Sequence, residues 1–407
     1  MKKIYFTLAM LASIFSFTAC SSSDDEEQIQ ETVEEIVEET VIRVAGIPLD
    51  SEAEQNPVIK AEEINTPIPN INYERESVDG VDVMNLNMTG IQNKATGEWL
   101  RLYGTGGGTI EETQTRASSV AQNIWVSVDD LPKGILVINT IDRIIEKKVM
   151  NDIVFLVDNS GSMSEEANTI ARDIIDWSKK LSETLDVRFG CVGYDGRIYG
   201  AINITTAEEL EAYLNRKGYT GTSRTYGFGG ADASILSAAS AQYSLYSQYE
   251  NGTAALRFAD EQFTFREGAN RIYINFTDEP NQPNGNKKYT VEYVNPKNNN
   301  WATTQGTVHT VFSGYTSFTP SSYYEQPWLM SEYTGGTILY TNSSFTGVNL
   351  NDLPVSKAMQ NSYIIKFTNI EDFLDGKPHA IKITILTEDG SVKAEKTFNV
   401  TFTDTTN

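Results

Sequence analysis

The sequence has few residues of the kinds that most often carry catalysis or cross-link a fold. Its 407 residues include two cysteines, Cys20 and Cys191, and two histidines, His309 and His379. So few cysteines and histidines exclude a disulfide framework and a His/Cys zinc cluster as organising features. His309 lies in an apolar, strand-like run, where a core imidazole is the more common role.

Positive charge is also scarce. The chain has 32 Lys and Arg against 55 Asp and Glu, a formal net charge of −23. It therefore lacks a basic surface for phosphate groups, and nucleic acid is not expected as a partner. The acidic balance instead suits a soluble surface that binds cations. Beyond the first 17 residues, no stretch reaches the roughly 18 apolar residues of a membrane span.

The first 40 residues carry targeting features rather than a fold. Two lysines precede the apolar run Ile4–Phe17, and a Thr-Ala-Cys sequence ends at Cys20. This predicts a secretory signal peptide over residues 1–19. Its end resembles a bacterial lipoprotein signal, which would lipidate Cys20 and hold the protein at the outer membrane or cell surface. The alternative is a plain signal peptide with an incidental cysteine.

The acidic segment after the cysteine is predicted to be a tether. Ser21–Glu27 resembles the Ser/acidic signal that carries lipoproteins of Bacteroidetes-type bacteria to the cell surface. Residues 20–40 contain no Lys or Arg, so their acidic side chains repel one another and favour an extended chain. A short coiled coil, under two heptads long, is the alternative.

Hydrophobic periodicity divides the remaining chain into three parts. In residues 41–146, short apolar runs alternate with turn signals, which predicts a β-rich domain. In residues 147–360, strand-like runs alternate with amphipathic helical segments, which predicts an α/β domain with a doubly wound, mostly parallel sheet. Residues 361–407 again alternate in the manner of strands. We expect the two β-rich segments to form one β-sandwich into which the α/β domain is inserted.

The α/β part opens with a continuous apolar strand that ends in a polar turn. Ile153–Val157 is typical of a strand buried on both faces, and Asp158, Ser160 and Ser162 follow at intervals of two. In open α/β sheets, ligands bind beyond the carboxyl ends of such strands. One carboxylate and two hydroxyls suit a hard cation such as Mg²⁺, which keeps some waters. The alternative is an ordinary turn in which Asp158 or Ser162 caps the next helix.

This Asp-x-Ser-x-Ser pattern resembles the metal-ion-dependent adhesion site of von Willebrand factor type A (vWA) domains. The resemblance implies a Rossmann-like fold and two further contributions from later loops. Thr225 best matches the family's ligating threonine, and Thr222 is the fallback because the glycine spacing here departs from the usual form. Asp278 matches an aspartate that acts through water or directly, while Glu279 stands where the family usually has glycine.

The resemblance implies cation-dependent binding of a protein. Few direct carboxylates would leave Mg²⁺ under-neutralised, with an open position for an acidic side chain of a partner. Mn²⁺ would also fit, and Ca²⁺ less well because it takes roughly six to eight oxygens. We therefore predict a lipid-anchored surface protein with an adhesion or protein-binding role. The alternative is a structural subunit of an envelope assembly, in which the vWA domain docks.

An enzyme is not predicted from the same residues. A nucleophile at Ser160 or Ser162 would lack the Gly-x-Ser-x-Gly elbow and an evident paired histidine. A metal acting as a Lewis acid would lack a paired general base.

Overall fold

The computed structural model divides the chain into two compact units, residues 1–44 and 45–407. It describes residues 43–93, 95–112, 116–140, 149–164, 166–216, 228, 230–231, 233–243, 249–295, 301, 303–317, 319–342 and 349–402. The predicted signal peptide, Cys20 and the acidic tether lie outside the described residues. So do Thr222 and Thr225. Everything that follows concerns the second unit.

A seven-stranded sheet forms the centre of the α/β part. Its strands are β8 (Met150–Asp158), β9 (Asp186–Tyr194), β10 (Ile198–Thr205), β11 (Gly230–Ala231), β12 (Asn270–Thr277), β13 (Thr307–Phe312) and β14 (Ile338–Tyr340). Their spatial order is β11-β10-β9-β8-β12-β13-β14. All neighbours run parallel except β9 and β10, which are antiparallel and joined by a short turn. The sheet is therefore mixed but mostly parallel, with β8 in the middle.

Helices cover both faces of this sheet. They are α1 (Ala167–Ser182), α2 (Ala207–Leu214), α3 (Ala233–Gln242), α4 (Gly252–Gln262), α5 (Leu329–Thr334) and α6 (Val355–Gln360). Alternate residues of β8 point to opposite sides. Phe155 packs in a core with residues of α1, α2 and α6, whereas Leu156 packs in a second core with residues of α3, α4 and α5. This two-sided burial explains the unbroken apolar run of β8.

Local sequence signals set the ends of several helices. The Thr206 hydroxyl accepts a hydrogen bond from the backbone N–H of Glu209, and the Glu209 carboxylate reaches back, so α2 begins with a capping box. Helix α5 ends at Gly335, whose φ of 75° is left-handed and suits glycine. No helix in the described part of the chain is long and apolar enough to span a membrane.

The β-rich segments before and after the α/β part share their sheets. One sheet has the order β1-β2-β15-β7 and another the order β17-β16-β5-β6, while β3 and β4 form a separate hairpin. These strands are β1 (Ile71–Val78), β2 (Val81–Met88), β3 (Gly108–Glu112), β4 (Arg116–Val120), β5 (Ile124–Val128), β6 (Leu131–Pro132), β7 (Leu136–Asn139), β15 (Tyr363–Phe367), β16 (Pro378–Leu386) and β17 (Lys393–Thr401).

Two of the three C-terminal strands, β15 and β16, lie inside these sheets, whereas β17 lies at the edge of the second one. Strand β15 pairs with both β2 and β7, and β16 pairs with β5 as well as β17. Leu86 and Ile365 of the first sheet belong to the same buried cluster as Val126 and Ile383 of the second. The two four-stranded sheets therefore enclose one core.

Candidate metal centre

Parallel pairing brings two distant polar loops to one edge of the central sheet. In the β8–β12 ladder, Val157 lies opposite Phe276, so the next residues, Asp158 and Thr277, leave the sheet side by side. The Thr277 hydroxyl donates a 2.8 Å hydrogen bond to Oδ2 of Asp158, although 119 residues separate them. The carboxyl ends of these strands are where α/β sheets bind ligands.

Asp158 is held rigidly in this position. Its side chain is fully buried, and its Oδ1 accepts a 2.9 Å hydrogen bond from the backbone N–H of Ser160. The Ser160 hydroxyl also forms a hydrogen bond with this carboxylate.

A chain of hydroxyl contacts links the two loops. The Oγ atoms of Ser160 and Ser162 are 2.9 Å apart, and the Ser162 hydroxyl donates to Oδ1 of Asp278 at 3.2 Å. Either hydroxyl of the first pair can be the donor, since the Ser160 hydroxyl also contacts the Asp158 carboxylate. The structure therefore gathers Asp158, Ser160, Ser162 and Asp278, four of the five residues predicted to form the site. Thr225, the fifth, lies outside the described residues.

The structure adds a third carboxylate, which the sequence analysis missed. One carboxylate oxygen each of Asp158, Glu250 and Asp278 lie within 4.8 Å of one another. Glu250 directly precedes Asn251, the residue that caps α4 by accepting a 2.6 Å hydrogen bond from the N–H of Ala254. An acid before a helix cap is too common a pattern to single out this one. Only the packing of α4 against the sheet brings it to the site.

Electrostatics disfavour the charged forms of these carboxyl groups in the metal-free protein. Burial, and then the neighbouring Asp278, raise the pKa of Asp158 to about 7. Burial, and then Asp158, Glu279 and Asp278, raise the pKa of Glu250 to about 9. Burial also raises the pKa of Asp278. In the described part of the chain, no Lys or Arg forms an ion pair with these three groups. Within the part of the chain that the structure describes, the cluster therefore has no partner of positive charge, which buried carboxylates require.

The donor set fits a hard divalent cation. It consists of carboxylate and hydroxyl oxygens, the ligands that Mg²⁺, Mn²⁺ and Ca²⁺ take. Neither histidine of the chain contributes. Nδ1 of His309 lies 2.8 Å from Oγ1 of Thr337, and burial lowers its pKa to about 4. Nδ1 of His379 lies 2.6 Å from Oδ2 of Asp129, in the β-rich part.

The loop after β13 packs directly on the loop that carries Asp278. A Cβ atom at Gly314 would lie only 1.7 Å from the backbone oxygen of Asp278, so no larger residue fits there without movement. The Glu279 N–H donates to the Thr277 hydroxyl at 3.1 Å, which closes a tight turn around Asp278. A glutamate at 279, where the vWA pattern usually has glycine, is therefore compatible with this turn.

Comparison with known proteins gives weak likenesses only. No family model and no curated protein matches the chain. Solved structures that are similar include proximal thread matrix protein 1 of the mussel byssus, at 12% identity and a TM-score of 0.34, covering 57% of this chain and 50% of that one. The vWF domain of the type V pili tip protein Mfa5 from Porphyromonas gingivalis is 14% identical, with a TM-score of 0.23 and coverage of 33% and 40%.

A third similar structure is the pilus adhesin SpaC from Lactobacillus rhamnosus GG. It is 9% identical, with a TM-score of 0.36, covering 80% of this chain and 46% of that one. The chain thus spans half or less of the length of each of these three proteins. All three TM-scores lie below 0.5.

Proposed function

We propose that this protein is a divalent-cation-dependent binding module, built on a doubly wound vWA-like domain, in which Asp158, Ser160, Ser162 and Asp278 hold Mg²⁺. The observation that carries the proposal is the contact between the Asp-x-Ser-x-Ser turn and the Asp278 loop, made through the 3.2 Å hydrogen bond of Ser162. Helices on both faces of the central sheet support the vWA-like assignment. Mn²⁺ would bind the same oxygens, and Ca²⁺ less well.

The cation would supply the charge that the cluster lacks. When bound, it would neutralise the buried carboxylates and offer a coordination position to an acidic side chain of a partner protein. This explains how a chain with a net charge of −23 would attract an acidic partner. Adhesion or protein binding is the role that follows.

The N-terminal sequence supports a location at the outer membrane or cell surface. In this proposal Cys20 carries lipid and residues 20–40 space the folded part from the membrane. Catalysis is not proposed, since both histidines of the chain are engaged away from the cluster and its carboxylates are assigned to the cation.

Thermal unfolding tests the metal site directly. The wild-type protein should gain stability with Mg²⁺ or Mn²⁺ relative to EDTA, by about 2.7 kcal/mol at a concentration 100 times the Kd. Asp158→Ala should lose this gain. Asp173→Asn, on helix α1, removes a half-buried carboxylate away from the site and should keep it. Equal melting temperatures of the wild type in Mg²⁺, Mn²⁺ and EDTA would refute the proposal.

A binding experiment separates a binding module from a structural subunit. Purified protein should bind one or more extracellular matrix or surface proteins on an array, and EDTA or Asp158→Ala should abolish the binding. Binding that persists in EDTA would show that the cation only stabilises loops.

A further inference from the structure

We propose that Glu250 is a third carboxylate ligand of the cation, and that it would compete with a partner's acidic side chain for one coordination position. The inference rests on the proposed function and deepens it. The vWA resemblance drew its ligands from three loops, whereas Glu250 comes from a fourth segment, just before α4.

The backbone around Glu250 is fixed against the loop that follows Asp278. The Glu250 carbonyl accepts a 2.8 Å hydrogen bond from the N–H of Gln282. Three residues further on, the Thr253 N–H donates to Oδ1 of Asn281 at 3.1 Å. The segment is thus tied to the metal-site loop at two points. These two contacts fix the backbone so that the Glu250 side chain points towards Asp158 and Asp278.

One carboxylate oxygen of Glu250 has no hydrogen-bond donor nearby in the described part of the chain. Its Oε2 atom is buried and has no hydrogen-bond partner among the residues that the structure describes. A buried carboxylate oxygen without a donor is costly, unless a cation coordinates it. The distance limit of 4.8 Å between its ligand oxygen and those of Asp158 and Asp278 allows one ion to contact all three.

The net charge of the loaded site would make Glu250 and a partner's carboxylate compete for the cation. A divalent cation balances Asp158 and Asp278, which leaves a neutral site able to accept one more carboxylate. With Glu250 bound, the same site has a net charge of −1, and a second incoming carboxylate would be repelled. A partner must therefore displace Glu250, which makes this residue a determinant of affinity for the partner.

The neighbouring Glu279 provides a matched control. It is also half-buried and adjoins Asp278, but it is not one of the three carboxylates that converge. Its Oε2 accepts a 3.4 Å hydrogen bond from Nε2 of Gln282. Glu279→Ala thus removes the same charge from the same region without removing the proposed ligand.

Europium luminescence measures the effect of each change on the first coordination shell. Eu³⁺ replaces the divalent ion as a probe, and its lifetimes in H₂O and D₂O give the number of bound waters. Glu250→Ala should gain about one bound water relative to the wild type, and Glu279→Ala none. Glu250→Ala should also weaken Mg²⁺ binding, measured by calorimetry, about tenfold, equal to about 1.4 kcal/mol. Glu250→Gln repeats the Mg²⁺ measurement with the side-chain volume kept.

Acetate serves as the carboxylate probe for the competition. This test uses Mn²⁺, which keeps the divalent charge and whose bound waters are counted by water-proton relaxation. Acetate should remove about one water from Mn²⁺ bound to Glu250→Ala, and none from Mn²⁺ bound to the wild type. If the wild type binds neither Mg²⁺ nor Eu³⁺, the proposed function falls. If the wild type binds both, but Glu250→Ala matches Glu279→Ala in water count and affinity, Glu250 is not a ligand and the proposed function stands. Displacement of water by acetate in the wild type would overturn the competition.

Discussion

Asp152, near the amino end of β8, and Asp158, at its carboxyl end, are both fully buried. Around Asp152 the chain supplies its own positive charge. Nε of Arg266 lies 2.7 Å from Oδ1 of Asp152, and the backbone N–H of Arg266 donates to Oδ2 at 2.8 Å. Around Asp158 the nearest charged groups are Asp278 and Glu250, which carry the same sign.

The difference between the two ends of β8 separates a structural aspartate from a candidate functional one. Burial alone does not distinguish them, because both have zero exposure. The distinguishing feature is the counter-charge, which the described residues supply at one end and not at the other. Buried ion pairs are part of ordinary architecture, whereas a buried group crowded by like charges is a candidate binding site.

The largest expected effect comes from removing the counter-charge at the amino end. Arg266→Met would leave Asp152 buried without its cation and should lower the free energy of unfolding by about 3 kcal/mol. Denaturant unfolding measures this, and Asp152→Asn combined with Arg266→Met should recover part of the loss. The Mg²⁺-dependent gain should persist in Arg266→Met. A loss under about 1 kcal/mol would show that water already solvates Asp152.

Replacing Asp158, at the carboxyl end of β8, should change the stability of the protein mainly through the loss of metal binding. In EDTA, Asp158→Asn removes a buried charge from beside Asp278, so the variant should be at least as stable as the wild type. The stabilisation of about 2.7 kcal/mol that Mg²⁺ gives at 100 times the Kd should vanish. Melting curves with and without Mg²⁺ test both parts. A variant that is destabilised in EDTA and still responds to Mg²⁺ would contradict this account of Asp158.

The stability of the protein in EDTA should depend on pH, because Asp158 and Glu250 are buried without a counter-charge among the described residues. The pKa values of Asp158, about 7, and Glu250, about 9, lie above the values near 4 of unfolded chains. The folded state therefore binds these protons more tightly, and its stability should fall as pH rises from about 4 through these values. Between pH 5 and 8 the stability should fall continuously, because the folded state still binds protons that the unfolded state has released.

Denaturant unfolding in EDTA across this pH range measures the fall, with Asp158→Asn as the comparison. The variant lacks one of the two titrating groups, so its stability should depend less steeply on pH. Equal slopes for the wild type and the variant would mean that Asp158 titrates normally in the folded protein.

The smallest effect is expected at the exposed part of the Arg266 network. Oδ1 of Asp186 lies 2.5 Å from Nη1 of Arg266, but the Asp186 side chain is 43% exposed. Asp186→Asn should therefore cost less than about 1 kcal/mol, since water screens the pair. Added salt should reduce the difference further. A cost equal to that of Arg266→Met would show that Arg266 acts mainly through Asp186.

Much of the fold follows from local patterns. The apolar run of β8, the Thr206 capping box and the glycine at 335 each depend on neighbours in sequence, and the structure has the corresponding strand and helix ends. The antiparallel pairing of β9 with β10 did not follow, nor did the position of β15 between β2 and β7. Strand order depends on which partner buries the most apolar surface, and sequence alternation does not encode that choice.

The same division holds at the candidate site. The sequence by itself determined the Asp-x-Ser-x-Ser turn, which follows a recognisable buried strand, and the resemblance to vWA domains pointed to Asp278. Only the tertiary structure decided that Ser162 contacts Asp278 and that Glu250 joins them. The reason is physical: a turn is set by residues adjacent in the chain, whereas a cluster of charges is set by the packing of α4, β8 and β12, which places distant carboxylates within one ion's reach.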